Sequence, residues 1–251
     1  MTKALKTSDI HGSMDDFNIV GEVFDTPVVV KGKTWLPVLE LFVWGFTSWL
    51  AGKRRAERTM LERMVVGAIT MPVLVGLEWA HNFAHAAVAS RIGKPMDAIR
   101  ITWGTPLVIY FDVNDPTVTP REHILRALGG PVFNALLLPV ALYLRHHAHP
   151  RSITRDLADV AVGMNTFLCT VSMLPIPGID GGPILKWSLV ENGRAPEEAD
   201  QVVRKVNSVL GMILAILSAL AVGKKRTLLG LMIAPFAALM LAIGSGFLRE
   251  Q

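Results

Sequence analysis

Three side chains stand out by type and spacing. Glu78, His81 and His85 lie in an otherwise apolar stretch of the chain. An ionisable group inside such a stretch is expensive to bury and marks a functional position. On a helix, at about 100° per residue, all three project from one stripe over two turns. Two imidazoles at i and i+4 are a metal-chelating pair, because their ring nitrogens can converge on one ion. The alternative is that each histidine only bonds to a neighbouring helix, but the accompanying carboxylate favours a metal. A further ligand has to come from elsewhere. The best placed is Asp180, in Leu174-Pro175-Ile176-Pro177-Gly178-Ile179-Asp180-Gly181-Gly182. Two prolines and three glycines break the helix there. Irregular backbone at membrane depth is tolerated only where protein buries it or it lines a polar cavity, and such a break can aim a carboxylate inward. The plainer reading of that segment is an ordinary loop at the end of a span.

The rest of the chain has to hold these groups in place. Of 251 residues, 51% are hydrophobic and 18% charged, fewer charges than the quarter or so of a soluble domain. The apolar residues fall in blocks long enough to cross a bilayer. Six spans are expected, at about 35–51, 64–90, 124–144, 157–174, 206–222 and 227–247. The expected fold is therefore mainly α: a polytopic, multi-pass integral membrane protein, placed in the cell membrane. Between the second and third spans, 99–103 and 107–113 read as two short strands around Gly104-Thr105-Pro106, a hairpin signal. Residues 1–34 read as a polar segment with a short strand at 24–30, and 35–251 as one membrane-embedded domain. The composition excludes disorder, a coiled coil and a disulfide-stapled domain, since Cys169 is the sole cysteine. The net charge of +4 is assigned to loop lysines and arginines rather than to nucleic-acid binding. The densest basic loops are 52–63, 145–155 and 224–226, all on one side. The positive-inside rule makes that side cytoplasmic. His146, His147 and His149 add a solvated interfacial patch to the second of these loops.

His81-Asn82-Phe83-Ala84-His85 followed by Pro175-Ile176-Pro177-Gly178-Ile179-Asp180-Gly181 resembles the site-2 protease family of intramembrane zinc metalloproteases. That family pairs an H-E-x-x-H helix with a later N-x-x-P-x-P-x-L-D-G segment. Gly129-Gly130-Pro131-Val132-Phe133-Asn134 is similar to its intervening G-P-x-x-N stretch. The resemblance covers a core of about 64–190. It implies one zinc ion held by His81, His85 and Asp180, with Asn134 near the substrate or oxyanion, and hydrolysis of transmembrane segments of membrane proteins. It also implies a membrane orientation opposite to the one the loop charge gives.

One departure bears on mechanism. The family's general base is the glutamate after the first histidine, and here that position is Asn82. Ile179 and Ser172 are milder departures. A carboxamide cannot accept a proton from water or return it to a leaving amine, and such help is worth roughly 10² to 10⁴ in rate. Zinc with two neutral histidines and one aspartate keeps a net positive charge, which a low-dielectric site has to balance. Glu78, one turn before Asn82, could do so as fourth ligand, as displaced base, or by orienting a histidine. Three functions remain open. The first is a metalloprotease relative that hydrolyses membrane segments, or binds them as a pseudoprotease partner if it is inactive. The second is a non-proteolytic membrane metal enzyme using Glu78, His81, His85 and Asp180, in which Glu78-x-x-His81 matches the pair found in di-iron bundles. The third is a metal-free transporter or chaperone.

Overall fold

The computed structural model of the chain describes residues 5–6 and 14–249. Lys3 and Asp9 of the expected polar segment lie outside the described residues. The helices are α1 (Val38–Arg54), α2 (Met60–Arg91), α3 (Pro120–His147), α4 (Ile153–Thr170), α5 (Gly181–Glu191), α6 (Pro196–Gly223) and α7 (Thr227–Gly244). The strands are β1 (Leu5–Lys6), β2 (Asn18–Val23), β3 (Thr26–Val30), β4 (Ala98–Thr102), β5 (Thr105–Ile109) and β6 (Leu248–Arg249). The chain divides into two compact units. The histidine unit comprises Ser13–Tyr110 and Leu128–Ser172. The carboxy-terminal unit comprises Met1–Gly12, Phe111–Ala127 and Met173–Gln251.

Four helices among the described residues, α2, α3, α6 and α7, are long and apolar enough to cross a membrane. The chain is a multi-pass membrane protein. Six spans were expected, and the other two of them form shorter or more charged helices. α1 has 17 residues, with Glu40 in its first turn and Lys53 and Arg54 in its last. α4 has 18 residues, with Arg155, Asp156 and Asp159 in its opening turns. The charges shorten the apolar window that each can offer a bilayer.

In the histidine unit, α2 is the central element. Thr59 and Glu62 close a capping box at its start, satisfying two orphan backbone donors. Its 32 residues run about 48 Å, which leaves turns to spare beyond the hydrocarbon core. α1 and α4 pack on it, and the Trp44 indole donates to the Met64 carbonyl at 2.9 Å. The far end of α2 rests on a four-stranded sheet of order β2-β3-β4-β5. Ala86, Ala89, Met96 and Ile99 form the buried core of that contact, with Trp79, Phe83 and Val108 around it.

The expected hairpin is present with its turn moved. Thr102 pairs with Thr105, and Trp103 and Gly104 take the two corner positions at φ 54° and 98°. Pro106, expected in the turn, instead sits in β5 opposite Ile101. A β-carbon at Gly104 would land on the Glu40 carboxylate, so glycine there is required by contact as well as by φ. The strand expected at 24–30 is β3. It pairs antiparallel with β2 and parallel with β4, so part of the amino-terminal polar segment is built into the sheet.

In the carboxy-terminal unit, α6 and α7 pack along each other. A buried cluster of Ile176, Met240 and Ile243, extended by Ile179, Leu210 and Leu214, fixes the segment before α5 on these two helices.

Candidate metal centre

His81 and His85 sit on α2, both buried. Their rings are edge-on, with centroids 4.7 Å apart and the two Nε2 atoms 3.1 Å apart. Two nitrogens bound tetrahedrally to one zinc at ~2.0–2.1 Å stand ~3.3 Å apart, so the pair has nearly the bite of a zinc chelate. The Asn134 carboxamide oxygen lies 2.6 Å from His81 Nδ1. An amide oxygen only accepts, so Nδ1 carries the proton and the Nε2 lone pair is left on the side away from Asn134. Asn134 is itself fully buried and held from behind. Its amide donates to Asn165 Oδ1 at 2.9 Å, and Asn165 in turn donates to the Ala161 carbonyl at 2.8 Å. Three helices of one unit thus set a single imidazole's tautomer and tilt.

Glycines make this approach possible. A β-carbon at Gly129 would stand 2.8 Å from the Ala84 carbonyl oxygen, so α3 meets the α2 backbone almost directly. A β-carbon at Gly130 would stand 2.5 Å from His81 Nε2 and closer still to His85 Nε2. Gly130 leaves open the space in front of both Nε2 atoms. Its N–H also approaches His85 Nδ1 at 3.4 Å. The donor set and the vacant volume at Gly130 both suit a divalent ion that prefers imidazole.

Asn82, between the histidines, is half-buried. Its amide donates to the Glu78 carbonyl one turn back at 2.9 Å. The side chain in the general-base position is therefore tied to its own helix. The Glu78 carboxylate is half-buried and makes no hydrogen bond or ion pair among the described residues. Its titratable neighbours are Glu40 and His81.

Asp180 belongs to the carboxy-terminal unit, where it directly precedes α5. It is half-buried. The segment before it is fixed at several points. Ile176 and Ile179 enter the core of that unit, and the fully buried Asn207 donates to the Pro175 carbonyl at 2.6 Å. Side chains at Gly181 and Gly182 would run into the carbonyls of Met173, Leu174 and Ile176. The double glycine lets the chain fold back on itself before the helix starts.

Sequence reasoning passed over Asn207 and reached Gly130 only as the glycine of the Gly130-Pro131-Val132-Phe133-Asn134 stretch. The motif gave Gly130 no role of its own, and Asn207 looks like a polar residue on an amphipathic helix. Asn165 on α4 joins two helices by accepting from Asn134 on α3.

No protein-family model matches the chain. Over 71 residues it is 37% identical to a Methanocaldococcus jannaschii protein described as "putative zinc metalloprotease". That match covers 28% of this chain and 37% of the relative's length. Among solved structures, it is similar to the site-2 protease from Methanocaldococcus jannaschii, with a TM-score of 0.47 and 13% identity over 90% of this chain and 95% of that one. In local sequence, the chain is similar to that "putative zinc metalloprotease" over about a third of the relative's length.

Proposed function

We propose that the chain is a site-2-protease-like membrane protein that holds one zinc ion and binds transmembrane segments of other membrane proteins. His81 and His85 supply two ligands, and Asp180 the third. The observation that carries this reading is the imidazole pair: two Nε2 atoms 3.1 Å apart, one ring oriented by Asn134 and both faced by a glycine. A zinc ion held there supplies water activation and carbonyl polarisation. The work of the protein side chains is to position. Asn134 keeps the His81 proton on Nδ1, Asn165 keeps Asn134 from turning, and Gly130 keeps the entry clear. Asn82 holds no proton acceptor and spends its donor on the Glu78 carbonyl. The chain is thus a binder of membrane helices whose usual acid–base step is lost.

A second reading is favoured by one observation. The Glu78 carboxylate, one turn from Asn82, has no hydrogen-bond partner among the described residues and is free to serve as a displaced base. Incubation of purified protein with a helical membrane substrate separates the two. The binder reading predicts no cleavage by the parent and cleavage by Asn82→Glu. Cleavage by the parent that Glu78→Gln abolishes would establish the displaced base instead. The absence of bound zinc in the parent would overturn both.

A further inference from the structure

We propose that the arginine face built by residues 54–58 and 145–159 of the histidine unit binds the phosphate of an anionic phospholipid. Asp156 is 2% exposed and receives Arg55 at 2.6 Å, Arg58 closer still, and Arg54 at 3.8 Å. Asp159 receives Arg145 at 2.7 Å, Arg155 at 3.4 Å and Arg54 at 3.8 Å. Five guanidinium groups therefore share two carboxylates, leaving three positive charges without a counter-anion in the network. Of the acids beside the network, Glu57 makes no ion pair among the described residues, and Glu62, beyond these segments, is bonded to Thr59 and acts on Arg58 only through space. Half-buried like charges repel strongly in a low-dielectric setting and draw in an anion.

Donors are available for that anion. Arg145, with 45% of its side chain exposed, commits only its Nε to Asp159. Its two terminal nitrogens have no hydrogen-bond partner among the described residues, and this planar fork matches a phosphate bidentately. Arg55 and Arg155 are held in place by the Arg151, Ser152 and Arg145 carbonyls, so the face is pre-formed.

The surroundings favour a lipid over a free ion. Exposed apolar side chains flank the arginines: Trp49 on α1, Leu61 on α2, Tyr143 and Leu144 on α3, and Ile153 on α4. The Lys53 ammonium lies 5.7 Å from the centre of the Trp49 ring. Apolar surface giving way to clustered cations within a turn of helix is the profile of a headgroup boundary. Acyl chains would lie on the apolar side chains while the phosphate meets the fork.

The test uses the delipidated full chain in a neutral detergent. Phosphatidylglycerol, phosphatidylcholine and inorganic phosphate are titrated separately, with binding read by native mass spectrometry and thermal shift. The expected result is retention of phosphatidylglycerol and a rise in unfolding temperature that neither of the others produces. Arg145→Gln and Lys53→Gln leave Asp156 paired. At the usual attraction per basic residue near an anionic surface, each weakens binding roughly 5-fold, and together roughly 25-fold. Lys224→Gln with Lys225→Gln leaves binding unchanged. Equal binding of the two lipids would overturn the proposal, as would displacement of the lipid by inorganic phosphate, which marks a free-anion site. A loss from the Lys224/Lys225 pair as large as from Arg145 and Lys53 would reduce the face to diffuse charge.

Discussion

Replacing Gly130 by alanine adds one methyl group at the point where the metal account is most exposed. The new carbon would stand 2.5 Å from His81 Nε2 and nearer to His85 Nε2. Relaxed contact needs about 3.5 Å, so the rings or α3 must retreat by about 1 Å. A ligand constellation tolerates displacements of about 0.5 Å, so zinc affinity falls by at least the 10- to 100-fold typical of disturbed metal surroundings. Stability responds differently. Overpacking costs about 1–3 kcal/mol, while glycine to alanine inside a helix returns about 0.8–1.0 kcal/mol. The metal-free protein therefore loses at most about 2 kcal/mol. Gly163 on α4 has nothing within 4 Å of its would-be β-carbon, so Gly163→Ala is the control and leaves zinc binding intact. Competition titration with a zinc chelator, run beside thermal unfolding of the metal-free form, separates the two effects. If Gly130→Ala binds zinc as tightly as the parent, the space in front of the imidazoles is not where the ion sits.

Two further changes probe the supports. Asn134→Leu removes the acceptor that fixes the His81 tautomer and strands the buried Asn165 oxygen. Zinc affinity is expected to fall about 10- to 100-fold, and unfolding free energy by about 1–3 kcal/mol, as read by chelator titration and denaturation. Asp156→Asn leaves Arg58, buried at 8% exposure, facing Arg54 and Arg55 without a compensating charge. A loss of about 3–5 kcal/mol is expected, measured by thermal unfolding in detergent, with zinc affinity per folded molecule unchanged.

The histidine pair was legible because helix periodicity alone puts i and i+4 on one face. Asn134 was legible only through motif resemblance, since nothing local distinguishes it from any buried carboxamide. Its function depends on a ring 53 positions earlier in the chain. Gly130 was legible as part of the same motif, but its role was not, because that role is the absence of atoms where another helix approaches. The hairpin's existence followed from β-branched runs and glycine. Its register did not, because Gly104 and Pro106 are both turn formers, and the choice fell to the Glu40 carboxylate packed against Gly104. The parallel pairing of Val28–Val30 with Ile99–Ile101 joins segments about seventy residues apart and has no short-range signature. The expected spans at 35–51 and 157–174 were read from apolar content, whereas the charges at their ends join an ion-pair network with the loops around them.

Metal analysis joined to X-ray absorption checks the proposed zinc ion at His81, His85 and Asp180. The parent should carry one zinc per chain with two imidazoles in its scattering shell. His81→Ala, His85→Ala and Asp180→Ala should each lose most of that metal while remaining folded. An Asp180→Ala protein that holds zinc with the same affinity and the same spectrum as the parent would contradict the account.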